Sequence, residues 1–170
     1  YGRDRHSRNL SQNNPRYLSP HTGQKNYTTA STRFRKLGKG QITPFFLTLY
    51  REDIIELAKN PLNRREISHA DITHSGLNPL CGDHVRIYLQ IDRDGTIHDA
   101  SFMGDGCAIS IAAASLLTDE LKGKKITDIE NLQTKNMLEL LGLDLGPSRI
   151  KCAVLVLETI KEGMLKDRSS

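Results

Sequence analysis

The sequence lacks any apolar run near the roughly 18 residues that a membrane-spanning helix requires. Its densest apolar stretches, Ala112 to Leu117 and Ala153 to Leu157, are short. With 170 residues and 37% hydrophobic content, the chain has the size of one domain that can bury an ordinary core. We therefore expect one soluble globular domain and no membrane partner.

Cysteine is also scarce, and its count restricts the expected chemistry. Three cysteines cannot pair into a closed set of disulfides, and we find no secretory leader in the sequence. We therefore expect a reducing compartment, in which the thiols are free or bind a metal. The cytoplasm is the expected location, or an organelle matrix if residues 1–43 are a transit segment.

Acidic residues are almost absent from the first 50 positions, which carry nine Lys or Arg and only Asp4 as an acid. This segment contributes a charge of +8, so the overall charge of +4 leaves −4 on the rest of the chain. Binding of nucleic acid needs basic charge clustered on a folded face, or interleaved aromatic residues that stack on bases. Only 5% of the residues are aromatic, and we expect no nucleic-acid partner.

Residues 1–43 are rich in Ser, Asn, Thr, Arg and Gly, and their apolar residues follow neither a period of 2 nor one of 3.6. Such a segment cannot bury enough apolar surface to offset the entropy cost of ordering it. We predict a disordered basic tail; the Arg-rich, acid-poor composition is also typical of a transit segment. The folded domain is predicted over residues 44–170.

The remaining chain has patterns of helices and of one hairpin. Apolar residues alternate with polar ones from Val85 to Ile91, and Gly95 supplies a turn before a second run from Ile97 to Phe102, which predicts a β-hairpin with one buried face. Residues 61–80 have no period and are predicted to be a long loop. Helices are predicted over 45–59, 108–121, around 126–133 and 136–141, and over 150–165.

Three short segments place thiols beside glycine or cationic residues, namely Asn78–Asp83, Gly104–Cys107 and Arg149–Cys152. In the first of these, Gly82 lets the backbone bend so that a thiolate and a carboxylate two residues apart can face one ion. Three thiolates and one carboxylate make a four-coordinate shell for Zn(II), or for a [2Fe-2S] cluster with one labile oxygen ligand. The candidate ligands are Cys81, Asp83, Cys107 and Cys152.

Two of these cysteines are predicted to lie at helix N-termini. Cys107 starts the helix over 108–121, and Cys152 is expected in the first turn of the last helix, where free amides and the helix dipole stabilise an anion. Arg149 and Lys151 lie beside Cys152 in sequence and are expected to lower the pKa of its thiol. By spacing alone, three separate core cysteines remain an alternative, because cysteine is often buried.

Five motifs occur in order along the chain: Leu49-Tyr50-Arg51-Glu52, Asn60-Pro61, Asn78-Pro79-Leu80-Cys81-Gly82-Asp83, Gly104-Asp105-Gly106-Cys107-Ala108-Ile109-Ser110 and Arg149-Ile150-Lys151-Cys152-Ala153. Together they resemble the SufU/IscU family, the NifU N-terminal-like scaffolds for iron-sulfur cluster assembly. The resemblance covers about residues 46–165. It implies an α+β fold of the SufE/NifU-like type, with a small antiparallel sheet packed against several helices.

The resemblance also implies a function and partners. Cys81, Asp83, Cys107 and Cys152 match the metal ligands of the family, and Cys81 is expected to accept sulfur. The implied donor is a PLP-dependent cysteine desulfurase, and the implied recipients are iron-sulfur apo-proteins or carriers. The bound group is expected to be Zn(II) or a [2Fe-2S] cluster. The protein is expected to act as a scaffold or sulfur carrier, or as a zinc-dependent sulfurtransferase.

The sequence departs from both branches of this family. IscU-type members have His before the last cysteine and a Leu-Pro-Pro-Val-Lys chaperone motif, whereas this chain has Lys151 and the segment Leu145-Gly146-Pro147-Ser148-Arg149. We therefore have no basis for expecting handover to an Hsp70-type chaperone. SufU-type members usually carry an insertion between the last two cysteines, but only 44 residues separate Cys107 from Cys152, as in IscU.

Two functions of other classes are alternatives. A structural zinc domain that serves as an interaction module would have closed ligation of its metal. A Cys-His hydrolase is disfavoured, because none of the six histidines lies in a recognisable nucleophile motif. His84 is expected to be an ordinary residue at a strand edge rather than a partner of the metal ligands.

Overall fold

The computed structural model describes residues 44–169, with side chains from residue 52 onward. The tail predicted over residues 1–43 lies outside the described residues, so both that prediction and the predicted domain boundary remain predictions. The elements are α1 (Pro44–Lys59), β1 (Ile72–Leu77), β2 (His84–Ile91), β3 (Ile97–Asp105), α2 (Ala108–Leu121), α3 (Ile126–Glu130), α4 (Thr134–Leu141) and α5 (Pro147–Asp167).

The three strands form one antiparallel sheet in the order β1-β2-β3. The predicted hairpin is confirmed: His84 pairs with Asp105 at one end of β2, and Ile91 pairs with Ile97 at the other. Gly95 closes the turn with φ +80, a conformation that glycine adopts without strain, and its amide donates to the carbonyl of Asp92 at 2.8 Å.

The prediction of a loop over all of residues 61–80 is wrong, because β1 lies within it and pairs with β2. The inward positions of this strand are Ile72, His74 and Gly76, and of these only Ile72 has a large apolar side chain. Gly76 has to be small, since a Cβ there would lie 2.0 Å from Oγ1 of Thr159 on α5. β1 therefore lacks the alternating apolar pattern of a buried strand, because its inward side chains are chosen for close packing against α5.

The helices pack around the sheet and bury one core. α5 packs on β1 and β2, α2 packs on β3, and α4 lies between α2 and α5. Ile87, Leu89 and Phe102 of the hairpin are fully buried there. This arrangement confirms the predicted α+β class with a small antiparallel sheet. Among the described residues, none of the helices has both the length and the apolar character needed to cross a bilayer.

The helices begin and end near the predicted residues, with one difference that matters for the site. The last helix begins at Pro147, which occupies its first turn with Gly146 as the N-cap. Proline is favoured at this position because its ring sets a helical φ and no partner for an N–H is needed. Cys152 therefore lies in the second turn of α5, beyond the four free amides of the helix start, and not in the first turn as predicted.

Candidate metal centre

The loop between β1 and β2 carries the first two candidate ligands in a closed turn. The amide of Asn78 donates to the carbonyl of Asp83, and the amide of Gly82 donates to the carbonyl of Asn78, both at 2.8 Å. Gly82 has φ +75, which allows this turn without steric cost. Cys81 is consequently exposed on the loop, while Asp83 is buried directly before β2.

The segment before α2 carries the third candidate ligand. Cys107 is the N-cap of α2, as predicted, and its amide donates to Oδ1 of Asp83 at 3.1 Å. A Cβ at Gly106 would lie 2.9 Å from Cγ of Asp83, so this residue must be small for the loop to approach the carboxylate. The Cys107 side chain is exposed.

The fourth candidate ligand, Cys152 on α5, lies next to the first, Cys81 on the loop between β1 and β2. Sγ of Cys152 lies 3.5 Å from Sγ of Cys81, although the residues are 71 positions apart in sequence. These two sulfur atoms and a carboxylate oxygen of Asp83 all lie within 4.8 Å of one another. Cys107 is not in this group of three, although its amide donates to Asp83 and its thiol neighbours Asp83 and Cys152.

The carboxylate of Asp83 has an atom that an ion would satisfy. Asp83 is only 4% exposed, and among the described residues its Oδ2 atom has no hydrogen-bond partner. Leaving a buried polar atom without a partner costs on the order of 1–3 kcal/mol. A cation bound beside Oδ2 and the two neighbouring sulfur atoms removes this cost. The donor set therefore fits Zn(II) or iron, both of which accept thiolate and carboxylate ligands.

The site shifts the pKa values of Asp83 and Cys152 in opposite directions. Burial opposes the charged form of Asp83, but the neighbouring thiols of Cys81 and Cys152 and the amide and thiol of Cys107 outweigh it, and the pKa falls below its usual 3.8. Burial, followed by the neighbouring Cys81 and Cys107, raises the pKa of Cys152 well above 9.0. The predicted lowering of the Cys152 pKa is therefore wrong for the metal-free protein.

The physical reason is the position of the two cations. Arg149 and Lys151 lie on the solvent side of α5, whereas Cys152 points inward and is 6% exposed. The charged side chains of Arg149 and Lys151 make no hydrogen bond or ion pair with other described residues. His84 is the first residue of β2, in line with the prediction of an ordinary residue at a strand edge; it is exposed, and its Nε2 lies 3.8 Å from a carboxylate oxygen of Asp105.

The alternative of three separate core cysteines is wrong, since Cys81 and Cys107 are exposed and only Cys152 is buried. Sequence reasoning missed two residues that organise the site. Asn78 donates through Nδ2 to Sγ of Cys152. The Asn-Pro pair at this position could have indicated a turn in which the Asn side chain bonds to the backbone. Arg64 donates to the carbonyl of Gly104 at 2.7 Å, and no sequence signal identified it.

Comparison with a family model gives one match. Residues 49–169 match the model described as the NifU-like N terminal domain. This range contains the whole candidate metal centre.

Curated proteins of two kinds are similar to the chain over most of their length. The zinc-dependent sulfurtransferase SufU of Bacillus subtilis is 33% identical over 137 residues, which are 71% of this chain and 92% of that protein. The iron-sulfur cluster assembly scaffold protein IscU of Thermotoga maritima is 31% identical over 137 residues, or 71% of this chain and 96% of that protein. The SufU protein and the IscU protein are therefore about equally similar to this chain.

A solved structure has the same fold. The iron-sulfur cluster assembly scaffold protein for the SUF system of Fervidobacterium islandicum aligns with a TM-score of 0.59 and 26% identity. The alignment covers 66% of this chain and 94% of that one.

Proposed function

Since the chain belongs to the NifU-like N-terminal domain family, we propose that it is a scaffold for iron-sulfur cluster assembly that accepts sulfur from a cysteine desulfurase. The observation that carries this proposal is the meeting of two thiols and a buried carboxylate within 4.8 Å, with one carboxylate oxygen unsatisfied among the described residues. Resemblance to the family adds Cys107 as the fourth ligand. Cys81, Asp83, Cys107 and Cys152 would hold the iron, and a [2Fe-2S] cluster would be the product assembled on them.

Cys81 is the proposed sulfur acceptor, because it is exposed on a loop while Cys152 is buried in a helix. Its thiolate attacks the outer sulfur of the desulfurase persulfide. A sulfur-sulfur bond then forms on Cys81, the persulfide bond of the desulfurase breaks, and the desulfurase cysteine leaves as a thiolate. The chain now carries the sulfur, and no external oxidant or reductant is consumed.

Asp83 is the proposed exchangeable ligand. Its carboxylate has one oxygen held by the Cys107 amide and a second that is free to bind an ion. A carboxylate oxygen is a harder ligand than a thiolate, and iron and zinc in such sites favour thiolate. Asp83 is therefore the ligand expected to leave when the product is handed on. Cys107 and Cys152 remain anchored by α2 and α5.

The surface around Cys81 supports docking of a protein partner. Leu77 and Leu80 are 64% and 70% exposed and precede Cys81 by four positions and one position in sequence, so a docked partner would cover apolar surface here. Arg149 and Lys151 add positive charge on the nearby turn of α5. We propose that a PLP-dependent cysteine desulfurase docks here, and that iron-sulfur apo-proteins or carriers receive the product.

A zinc-dependent sulfurtransferase is the second candidate function. It is favoured by Lys151, which stands where IscU-type members have His, and by the similarity to SufU of Bacillus subtilis. In that case zinc is resident and Cys81 passes the sulfur on without cluster assembly. A purely structural zinc module is disfavoured, because its ligands would be closed off, whereas Cys81 is exposed.

Residues 44–170 are the proposed functional domain. The free thiols among the described residues support a reducing compartment such as the cytoplasm.

Metal analysis and the visible absorption spectrum of anaerobically purified protein, followed by addition of a cysteine desulfurase, test the function. Iron with colour supports the scaffold, and colourless zinc with faster cysteine turnover supports the sulfurtransferase.

Cys81→Ser should abolish sulfur transfer to the chain, measured by mass spectrometry as the loss of a 32-Da adduct. The control Asp144→Ala, at an exposed carboxylate, should transfer normally. Bound zinc with neither sulfur transfer nor stimulated turnover would leave only the structural module.

A further inference from the structure

Asn78 is a buried polar residue that belongs to no expected ligand set, yet it contacts two of the three ligand-bearing segments. It is 6% exposed. Within its own loop, its Oδ1 accepts the Leu80 amide at 3.1 Å, and its backbone bonds to Gly82 and Asp83. Across to α5, its Nδ2 donates to Sγ of Cys152 at 3.9 Å. One side chain therefore links the Cys81 loop to the Cys152 helix.

The hydrogen bonds of Cys152 differ in what they need from the sulfur. The bond to the carbonyl of Ser148, at 3.9 Å, requires a proton on the sulfur and is lost when Cys152 binds a cation as a thiolate. The bond from Asn78 requires only a lone pair and is strengthened by negative charge on the sulfur. Asn78 is therefore the donor that stays with the metal-bound form.

Cys81 has no comparable support. Its sulfur lies beside the sulfur of Cys152 and the carboxylate of Asp83, but no amide among the described residues donates to it. A hydrogen bond to a coordinated ligand orients that ligand and holds it in place. The two neighbouring sulfur atoms therefore differ in their anchoring, although their chemistry is the same.

We propose that Asn78 is a positioning residue whose side-chain amide holds Cys152 as the permanent sulfur ligand, so that Cys81 is the sulfur that exchanges. This inference rests on the proposed function, because it assigns different tasks to two ligands of the same site. The side-chain carbonyl of Asn78 closes the Cys81 loop at the same time. Loop shape and choice of leaving sulfur are thus controlled by one residue.

Two substitutions separate the donor from the turn. Asn78→Ser keeps an oxygen that can accept the Leu80 amide but is too short to reach Cys152. Asn78→Asp keeps the shape and the acceptor, and replaces the donor by an oxygen that faces the sulfur. Asn78→Ala removes both functions. Asn136→Ser is the matched control, because Asn136 accepts the Gln133 amide at 2.9 Å in a similar local bond on α4.

The experiment measures zinc affinity by competition with a chromophoric chelator, and the sulfur-to-cobalt charge-transfer band of Co(II)-loaded protein. We expect Asn78→Ser and Asn78→Asp to bind zinc roughly 10- to 100-fold more weakly than wild type, the usual loss for a partner of a metal ligand. The cobalt band should move to longer wavelength, because the sulfur lone pair loses its stabilising donor. Of Cys81 and Cys152, iodoacetamide should label both in the zinc-loaded variants, but only Cys81 in wild type and in Asn136→Ser.

Other results would overturn the proposal. If Asn78→Ser and Asn78→Asp match wild type and only Asn78→Ala is weakened, Asn78 acts solely through the turn. If the variants do not fold, wild-type protein loaded with ¹¹³Cd decides: scalar coupling between the metal and the Asn78 side-chain amide proton is expected, and its absence contradicts the inference. Failure of the proposed function looks different, because wild-type protein itself would then not accept sulfur.

Discussion

Gly106 is the residue at which one methyl group should disturb the metal centre most selectively. A Cβ there would lie 2.9 Å from Cγ, 3.0 Å from Cβ and 3.2 Å from Oδ1 of Asp83. The backbone of Gly106 is not in the left-handed region, so alanine is conformationally acceptable at this position. The whole effect of Gly106→Ala should therefore come from displacement of the buried carboxylate.

The size of the effect follows from the contact that is lost. Moving the carboxylate away lengthens its 3.1 Å bond from the Cys107 amide, and a hydrogen bond to a charged group contributes roughly 1.5–3 kcal/mol. Since about 1.4 kcal/mol corresponds to a tenfold change in affinity, we expect zinc binding to weaken about 10- to 100-fold. The free energy of unfolding of metal-free protein should fall by about 1–2 kcal/mol, because the carboxylate can relax partly toward solvent.

Chelator competition and urea denaturation of the metal-free protein measure the two quantities. Gly146→Ala is the matched control: a Cβ there meets no atom within 4 Å, and its φ is −66. The control should bind zinc as wild type does. If Gly106→Ala keeps wild-type affinity, the carboxylate of Asp83 is not held where a metal needs it, and its assignment as a ligand is refuted.

Three further predictions concern packing, pH and product release. Gly76→Ala should destabilise the protein by about 1–3 kcal/mol by overpacking against Thr159, and a double-mutant cycle with Thr159→Ala in thermal or urea unfolding should recover part of the loss; additive effects would contradict the contact. Hydrogen bonds from Lys125 and Thr96 lower the pKa of Asp94 to about 2, so its contribution to stability is present above pH 4 and is lost as the pH falls through 2. Asp94→Asn should therefore lower the urea midpoint at pH 7 and lose this effect below pH 2; an equal effect at both would be inconsistent with this pKa. Asp83→Ala should retain an assembled [2Fe-2S] cluster longer than wild type in a chelator-release assay, whereas faster loss of the cluster with an intact fold would contradict the role of Asp83 as the exchangeable ligand.

The predicted hairpin and the helices α2 and α5 were accessible from sequence because their signals are local. Alternation of apolar residues from Val85 to Ile91 sets which face of β2 is buried, and Pro147 is typical of a helix start. β1 was missed because two of its inward positions are His74 and Gly76, whose side chains fit a close approach of α5 rather than a hydrophobic pattern. Such an approach depends on residues more than 80 positions away.

For the metal centre, the sequence by itself determined the ligand types, their order along the chain and the family resemblance. Only the tertiary structure decided that Cys81 and Cys152 lie 3.5 Å apart, because the packing of β1 against α5 sets that distance. It also decided the direction of the Cys152 pKa shift. Two cations beside a cysteine in sequence favour a thiolate, but on a helix they point to solvent while the thiol points into the core, where burial favours the neutral form.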